Sequence, residues 1–261
     1  MFVWCSSLYD RKDSPLDPRA LPWTLSHMCR KWREVAIAAP EIWSGINLDF
    51  MHDQFLNRSR IHEAAFMLGI VLDRARPHNL DVLIVHQADI LTHPACAVLL
   101  STVRYWKSLE VFGIPSEFDF LSPCRGYFDQ LETVVVRGHH SGGSETIDTF
   151  AVAPRLRSFT KTLDAQFLLP ANLVEFDDST PFNENTRATL RYLVNVETLS
   201  LSCSSYSSEL PKIRLPRLSH LRLSANGQTV STAFLTYNHF DLPSLTHLKV
   251  FSFFSKPVVS G

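Results

Sequence analysis

The sequence predicts an α/β chain in which short parallel strands stack into an irregular solenoid with helices outside, preceded by a small helical segment. Three observations predict it. An apolar phrase recurs along residues 80–250, helix-compatible stretches stand between its copies, and residues 25–43 carry a different, helical spacing.

In the helical segment, Leu25, Met28, Cys29, Trp32 and Ala36 follow the i, i+3, i+4, i+7 spacing of one face of a single helix. Pro40 ends that helix, and Ile42 and Trp43 form a second short apolar anchor. Trp32 and Trp43 fit either contact with a partner or the core of a small helical bundle. Core packing is the expectation, because large aromatics anchor small cores. Arg30, Lys31 and Arg33 make a basic trio that faces either an acidic partner or water.

From residue 80 the phrase is Leu-x-x-Leu-x-Leu with substitutions. It reads Leu80-Asp-Val-Leu-Ile-Val85, Leu109-Glu-Val-Phe-Gly-Ile114 and Leu131-Glu-Thr-Val-Val-Val136. It returns as Val196-Glu-Thr-Leu-Ser-Leu201, Leu218-Ser-His-Leu-Arg-Leu223 and Leu245-Thr-His-Leu-Lys-Val250. Leu156-Arg-Ser-Phe159 and Leu173-Val-Glu-Phe176 are degraded copies, in which Lys161 and Asp178 replace the last apolar residue. The starts at 80, 109, 131, 156, 173, 196, 218 and 245 are separated by steps of 29, 22, 25, 17, 23, 22 and 27. Most fall in the range of about 20–29 residues of leucine-rich repeats. One such strand cannot bury its apolar face alone, whereas stacked copies share a continuous core. An ordinary α/β domain with leucine-rich strands is the alternative, and the number of similarly spaced phrases argues against it.

Residues 94–106 and 183–193 are helix-compatible and precede the second and sixth of the eight phrases, so helices are expected outside the strands. Pro154, Pro216 and Pro243 stand just before strands, where no ladder donor is yet needed. The Asn or Cys that normally follows the last leucine is matched only at Asn226, and His139-His-Ser-Gly-Gly-Ser-Glu145 breaks the pattern as a surface loop. These departures predict irregular coils.

With the leucines turned inward, the residues between them face the concave side. That strip carries Arg137, Glu175, Asp177, Thr198, Ser200, His220, Arg222, His247 and Lys249, acidic near 175–178 and basic from 217 to 249. It fits either recognition of a partner of complementary charge or an ordinary charged surface.

Composition narrows the function classes. Apolar residues are 45% and charged residues 20%, which excludes a largely disordered chain. A net charge of −1 leaves no basic surplus for phosphate binding, so nucleic acid is not an expected partner. The longest clean apolar run, Ala64–Leu72, is far short of a bilayer span, and without a basic start followed by a long apolar core no signal peptide is expected. No membrane partner is expected. Five scattered cysteines without a CxxC pair fit reduced thiols in the cytoplasm or nucleus. His62-Glu-Ala-Ala-Phe66 lacks the second histidine of a zinc HExxH motif, and Pro123-Cys-Arg-Gly-Tyr127 lacks the second cysteine of PCxxC. No catalytic residue, metal site or cofactor motif is identified, and a non-enzymatic protein is expected.

The Leu25–Trp43 segment together with the leucine phrases resembles fungal F-box proteins with degenerate leucine-rich repeats. The matching positions are Leu25, Met28, Cys29, Arg30, Trp32, Arg33, Val35, Ala36, Pro40, Ile42 and Trp43. Ala153-Pro-Arg-Leu-Arg-Ser-Phe159 and Leu215-Pro-Arg-Leu-Ser-His-Leu221 are similar to that group's strand entries. The resemblance implies a truncated F-box-like segment over residues 1–50 and a repeat solenoid over 51–261. It further implies a substrate receptor of a cullin–RING ubiquitin ligase, with a Skp-type adaptor and a target protein as partners. The alternative is a repeat interaction module without adaptor docking. Met1-Phe2 looks like the Ile-Phe pair that follows the opening helix of a complete F-box, and no capping unit follows Lys256, so a fragment at both ends is expected.

Overall fold

Strands form at all eight phrases. The computed structural model describes residue 17 and residues 19–50, 61–85, 90, 92–113, 115–138, 146–203, 212–225, 233 and 236–251. The expectations placed on Met1-Phe2, the 139–145 loop, Asn226 and the stretch after Lys256 lie outside the described residues.

The strands are β1 (Gly45–Asp49), β2 (Leu80–Val85), β3 (Trp106–Phe112), β4 (Thr133–Arg137), β6 (Ser158–Lys161), β8 (Glu175–Pro181), β9 (Thr198–Ser202), β11 (His220–Ser224) and β13 (His247–Phe251). They make one parallel nine-stranded sheet in the order β1-β2-β3-β4-β6-β8-β9-β11-β13. The protein is therefore α/β, as expected. Apolar side chains at alternate positions explain the strands: Leu199, Leu201, Leu221 and Leu223 are buried, with Ser200 and Arg222 between them facing the other way.

By internal contacts the chain divides into two compact units, Met1–Val134 with Ala153–Arg155, and Val135–Val152 with Leu156–Gly261. In the first unit, two expectations change. β1 lies inside the segment read as helical and pairs with β2, Gly45 opposite Asp81 and Asp49 opposite Val85. Its buried Ile46 and Leu48 alternate with Asn47 and Asp49, a strand period in a run short enough to escape notice.

The single helix expected over residues 25–36 is two helices, α1 (Leu21–Met28) and α2 (Arg30–Ile37). Cys29 between them is extended, with φ −161° and ψ 170°. The five residues therefore share no common face. Ala36 is buried and Leu25 half-buried, while Met28, Cys29 and Trp32 are exposed. The cause is tertiary. A straight helix would hold Trp23 roughly 20 Å from Ala36 along the axis. The break instead folds α1 back, so that Arg33 Nε donates to Ser26 O at 2.8 Å. Trp23 then meets Trp43 edge-to-face at 5.2 Å. Arg74, from α3 (Ile61–Ala75), covers both rings at 4.7 and 4.4 Å. Two buried indoles stabilise by about 2–3 kcal/mol each, more than the roughly 1 kcal/mol net of a backbone hydrogen bond exchanged for water.

Outside the strands, α4 (Pro94–Leu100) and α5 (Glu184–Leu190) form within the expected helical stretches. Asn183 caps α5, its side-chain oxygen accepting from Thr186 N at 3.1 Å. Elsewhere short parallel pairs replace helices: β5 (Thr146–Ile147) with β7 (Gln166–Phe167), and β10 (Ile213–Arg214) with β12 (Phe240–Asp241). In the second unit β7 delivers Phe167 to an aromatic cluster, where Phe159 meets Phe167 at 4.9 Å, Phe150 at 6.0 Å and Phe176 at 6.1 Å. Such pairs add about 0.5–1.5 kcal/mol each beyond their buried area.

A polar tie recurs at the residue immediately before four of the eight phrases. Asn172 Nδ2 donates to Leu156 O at 3.3 Å, Asn195 Nδ2 to Ala171 O at 2.7 Å, and Ser244 Oγ to Pro216 O at 2.6 Å. In the first unit Arg155 Nη1 donates to Gln130 Oε1 at 2.6 Å. Each bond joins the chain entering one strand to the stretch at the preceding strand's entry.

Lys161 and Asp178, the two residues that interrupt the apolar phrase, are register partners on β6 and β8. Both are fully buried, with Nζ and Oδ2 2.7 Å apart. Asp178 also accepts from Thr180 N at 2.9 Å, Thr180 Oγ1 at 2.5 Å and Thr186 Oγ1 at 2.5 Å. The last of these bonds fastens α5 to the sheet.

Candidate functional site

Parallel pairing in register turns the polar positions of the second unit's phrases into rows that cross the strands. One row is Ser158, Glu175, Thr198, His220 and His247; the next is Thr160, Asp177, Ser200, Arg222 and Lys249. Thus Glu175, Asp177, His220, Arg222, His247 and Lys249, singled out in the sequence, share one face of one sheet. Arg137, the last residue of β4, is exposed but is not among the residues lining the hollow described next.

The second row borders a hollow of about 310 Å³. Asp177 and Ser179 stand at one side, Arg222 and Lys249 at the other, with Ser200 and Ser202 of β9 between them; Ser224 beyond Arg222 and Phe251 beyond Lys249 complete the lining. Ser202, Ser224 and Phe251 escaped the sequence reading. Their signal was present, since each stands two residues beyond a residue of the chosen row and so returns to the same face.

Charges in this row are poorly compensated. Arg222 and Lys249 are direct register partners, and like charges opposite one another on neighbouring strands repel. Among the described residues neither forms an ion pair. Asp177 likewise forms none there and takes one long hydrogen bond, from Ser179 Oγ at 3.5 Å. Burial pushes the Asp177 carboxyl above its ordinary value and the Asp178 charge adds to this; the Ser179 bond and the Arg222 charge oppose it.

The sign of that shift gives a prediction. The folded protein holds the Asp177 proton at a pH where the unfolded chain has released it, so stability falls as pH rises through that window. Asp177→Asn is expected to raise the melting temperature at neutral pH and to leave it unchanged below about pH 3.9, the ordinary aspartate value. Thermal unfolding across a pH series checks this; a lower melting temperature at neutral pH would show the carboxylate to be net stabilising.

In the row of His220 and His247 the two rings stack at 4.5 Å and are 3° from parallel. Each Nδ1 sits 2.8 Å from the hydroxyl of the preceding residue, Ser219 or Thr246, which fixes the ring orientations.

The N-terminal candidates fall into two groups. Trp43 is fully buried, with Nε1 donating to Ala36 O at 2.7 Å, and Ile42 is half-buried. Trp43 is thus core, as expected. Trp32 is not: it is 39% exposed, with Met28 at 64%, Val35 at 38% and Ile37 at 46%. The break at Cys29 diverts α2 from the core, and Ala36 is its one buried residue. Cys29 and Arg33 are exposed as well.

Among the described residues no group of three or more His, Cys, Asp or Glu side chains converges as a metal site, and no helix is long and apolar enough to cross a membrane. Comparisons with known protein families, with curated proteins and with solved structures found no match.

Proposed function

We propose that this chain is a non-catalytic recognition subunit of a cullin–RING ubiquitin ligase, in which α1 and α2 dock on a Skp-type adaptor and an irregular leucine-rich-repeat solenoid holds a target protein. Its work is proximity: it raises the effective concentration of the target beside the ubiquitin-loaded enzyme. This role belongs to the cytoplasm or nucleus.

The observation that carries the docking half is the exposure of α2. Short helices in folded proteins are held by an apolar stripe packed against a core. α2 has one buried residue, while Trp32 and Val35, at i and i+3 on the same side of it, face outward among the described residues. A partner docked on that side would bury the exposed area of both side chains. The repeat half is supported by the eight phrases forming parallel strands and by the polar tie before three of the phrases in the second unit.

Mixing the full chain with a purified Skp-type adaptor tests docking. A one-to-one complex on size exclusion at micromolar concentration is expected. No complex at that concentration overturns adaptor docking and leaves a repeat protein that binds targets without a ligase.

A further inference from the structure

We infer that the hollow between Asp177 and the Arg222–Lys249 pair recognises an extended peptide carrying a cationic side chain about three or four residues from an anionic one, laid across the strands. This deepens the proposed function by stating the chemistry of the target's recognised segment. It rests on the second unit being a recognition surface, not on adaptor docking.

The charge arrangement requires a ligand with both signs. Arg222 and Lys249 stand side by side with no ion pair among the described residues, an arrangement that an anionic group placed between them would relieve. Asp177, on the opposite side of the hollow, disfavours a polyanion such as nucleic acid and favours a cation. Ser200 separates them in the row, and Ser202 and Ser224 continue the hydroxyl lining. Those hydroxyls can donate to or accept from a peptide backbone. Phe251, 43% exposed, offers an apolar contact at the rim.

Register sets the spacing. Asp177 lies two strands from Arg222 and three from Lys249. At about 4.8 Å per strand these separations are roughly 10 and 14 Å. The ammonium and carboxylate of a free amino acid are far too close to span them. In an extended strand, side chains at i and i+4 share a face about 13 Å apart. In a polyproline-type chain, side chains at i and i+3 do so about 9 Å apart. Adjacent charges point to opposite faces and cannot reach both ends of the hollow.

The test is fluorescence anisotropy with the full chain and labelled, end-capped peptides. Each carries one lysine and one glutamate in a threonine–valine background, at spacings from adjacent to widely separated. Binding is expected to peak at a separation of three or four and to fall about tenfold when the charges are adjacent. Asp177→Asn should remove the dependence on the lysine. Arg222→Glu should weaken the peak by about tenfold and be rescued when the peptide's glutamate is replaced by lysine. A further arm replaces that glutamate by phosphoserine: tighter binding than glutamate assigns the anion to a phosphorylated residue, equal binding to an acidic one. A spacing profile that is flat, or unchanged by Asp177→Asn and Arg222→Glu in protein with unaltered circular dichroism, overturns the inference. Recovery of a target by the full chain that survives Arg222→Glu would then show the recognition reading to stand with a different surface, while a chain that captures no target fails that reading itself.

Discussion

Asp178→Ala is expected to destabilise the second unit by about 3–5 kcal/mol, the cost of leaving a buried charge without its partner. The geometry explains why the aspartate matters more than the lysine. Without Asp178, the Lys161 ammonium keeps a 3.4 Å contact with Leu163 O. Thr180 loses its acceptor at the same time, Thr186 keeps only a long 3.4 Å bond to Asn183 Oδ1, and α5 loses the Thr186–Asp178 bond to the sheet. Lys161→Met leaves a carboxylate that still accepts three hydrogen bonds, so its cost should be nearer the roughly 1–3 kcal/mol of an imperfectly satisfied polar group. Denaturant unfolding of the full chain, followed by a probe in the second unit, checks the order. Equal costs would show the attraction between the charges to dominate the hydroxyl network.

Trp43→Ala and Trp32→Ala should behave as opposites. Trp43 is fully buried, packs on Trp23, lies under Arg74 and donates to Ala36 O. Its removal is expected to cost about 3–5 kcal/mol through lost burial and the cavity left behind, and α1 and α2 should loosen with it. Trp32 is 39% exposed on α2, and its removal should cost less than about 1 kcal/mol of stability. If α2 docks on the adaptor, Trp32→Ala should nevertheless weaken that complex by at least about tenfold, as truncation of an aromatic anchor does. Thermal unfolding and adaptor titration separate the two effects. Adaptor binding indifferent to Trp32→Ala would remove α2 from the interface.

The polar surface of the second unit was more legible than the helical segment. Its rows follow from a period of two within each phrase and from equal phrase lengths, which bring Asp177, Ser200, Arg222 and Lys249 into one line once the strands pair. The leucine phrase predicts tying residues after its last leucine, whereas the bonds come from Asn172, Asn195 and Ser244 before its first. The helical segment misled because the spacing of Leu25, Met28, Cys29, Trp32 and Ala36 satisfies a single helix, while the core selects Trp23 and Trp43 instead.

By itself, the sequence determined the eight strands and which side of each is apolar, because alternation and repeat length are local properties. It also marked Lys161 and Asp178 as interruptions. Only the tertiary structure decided that these two neutralise each other inside the core, that β1 joins the sheet, and that the chain turns at Cys29. Those outcomes depend on partners far away in sequence, and the energy of burying a charge or an indole is set by what the fold brings against it.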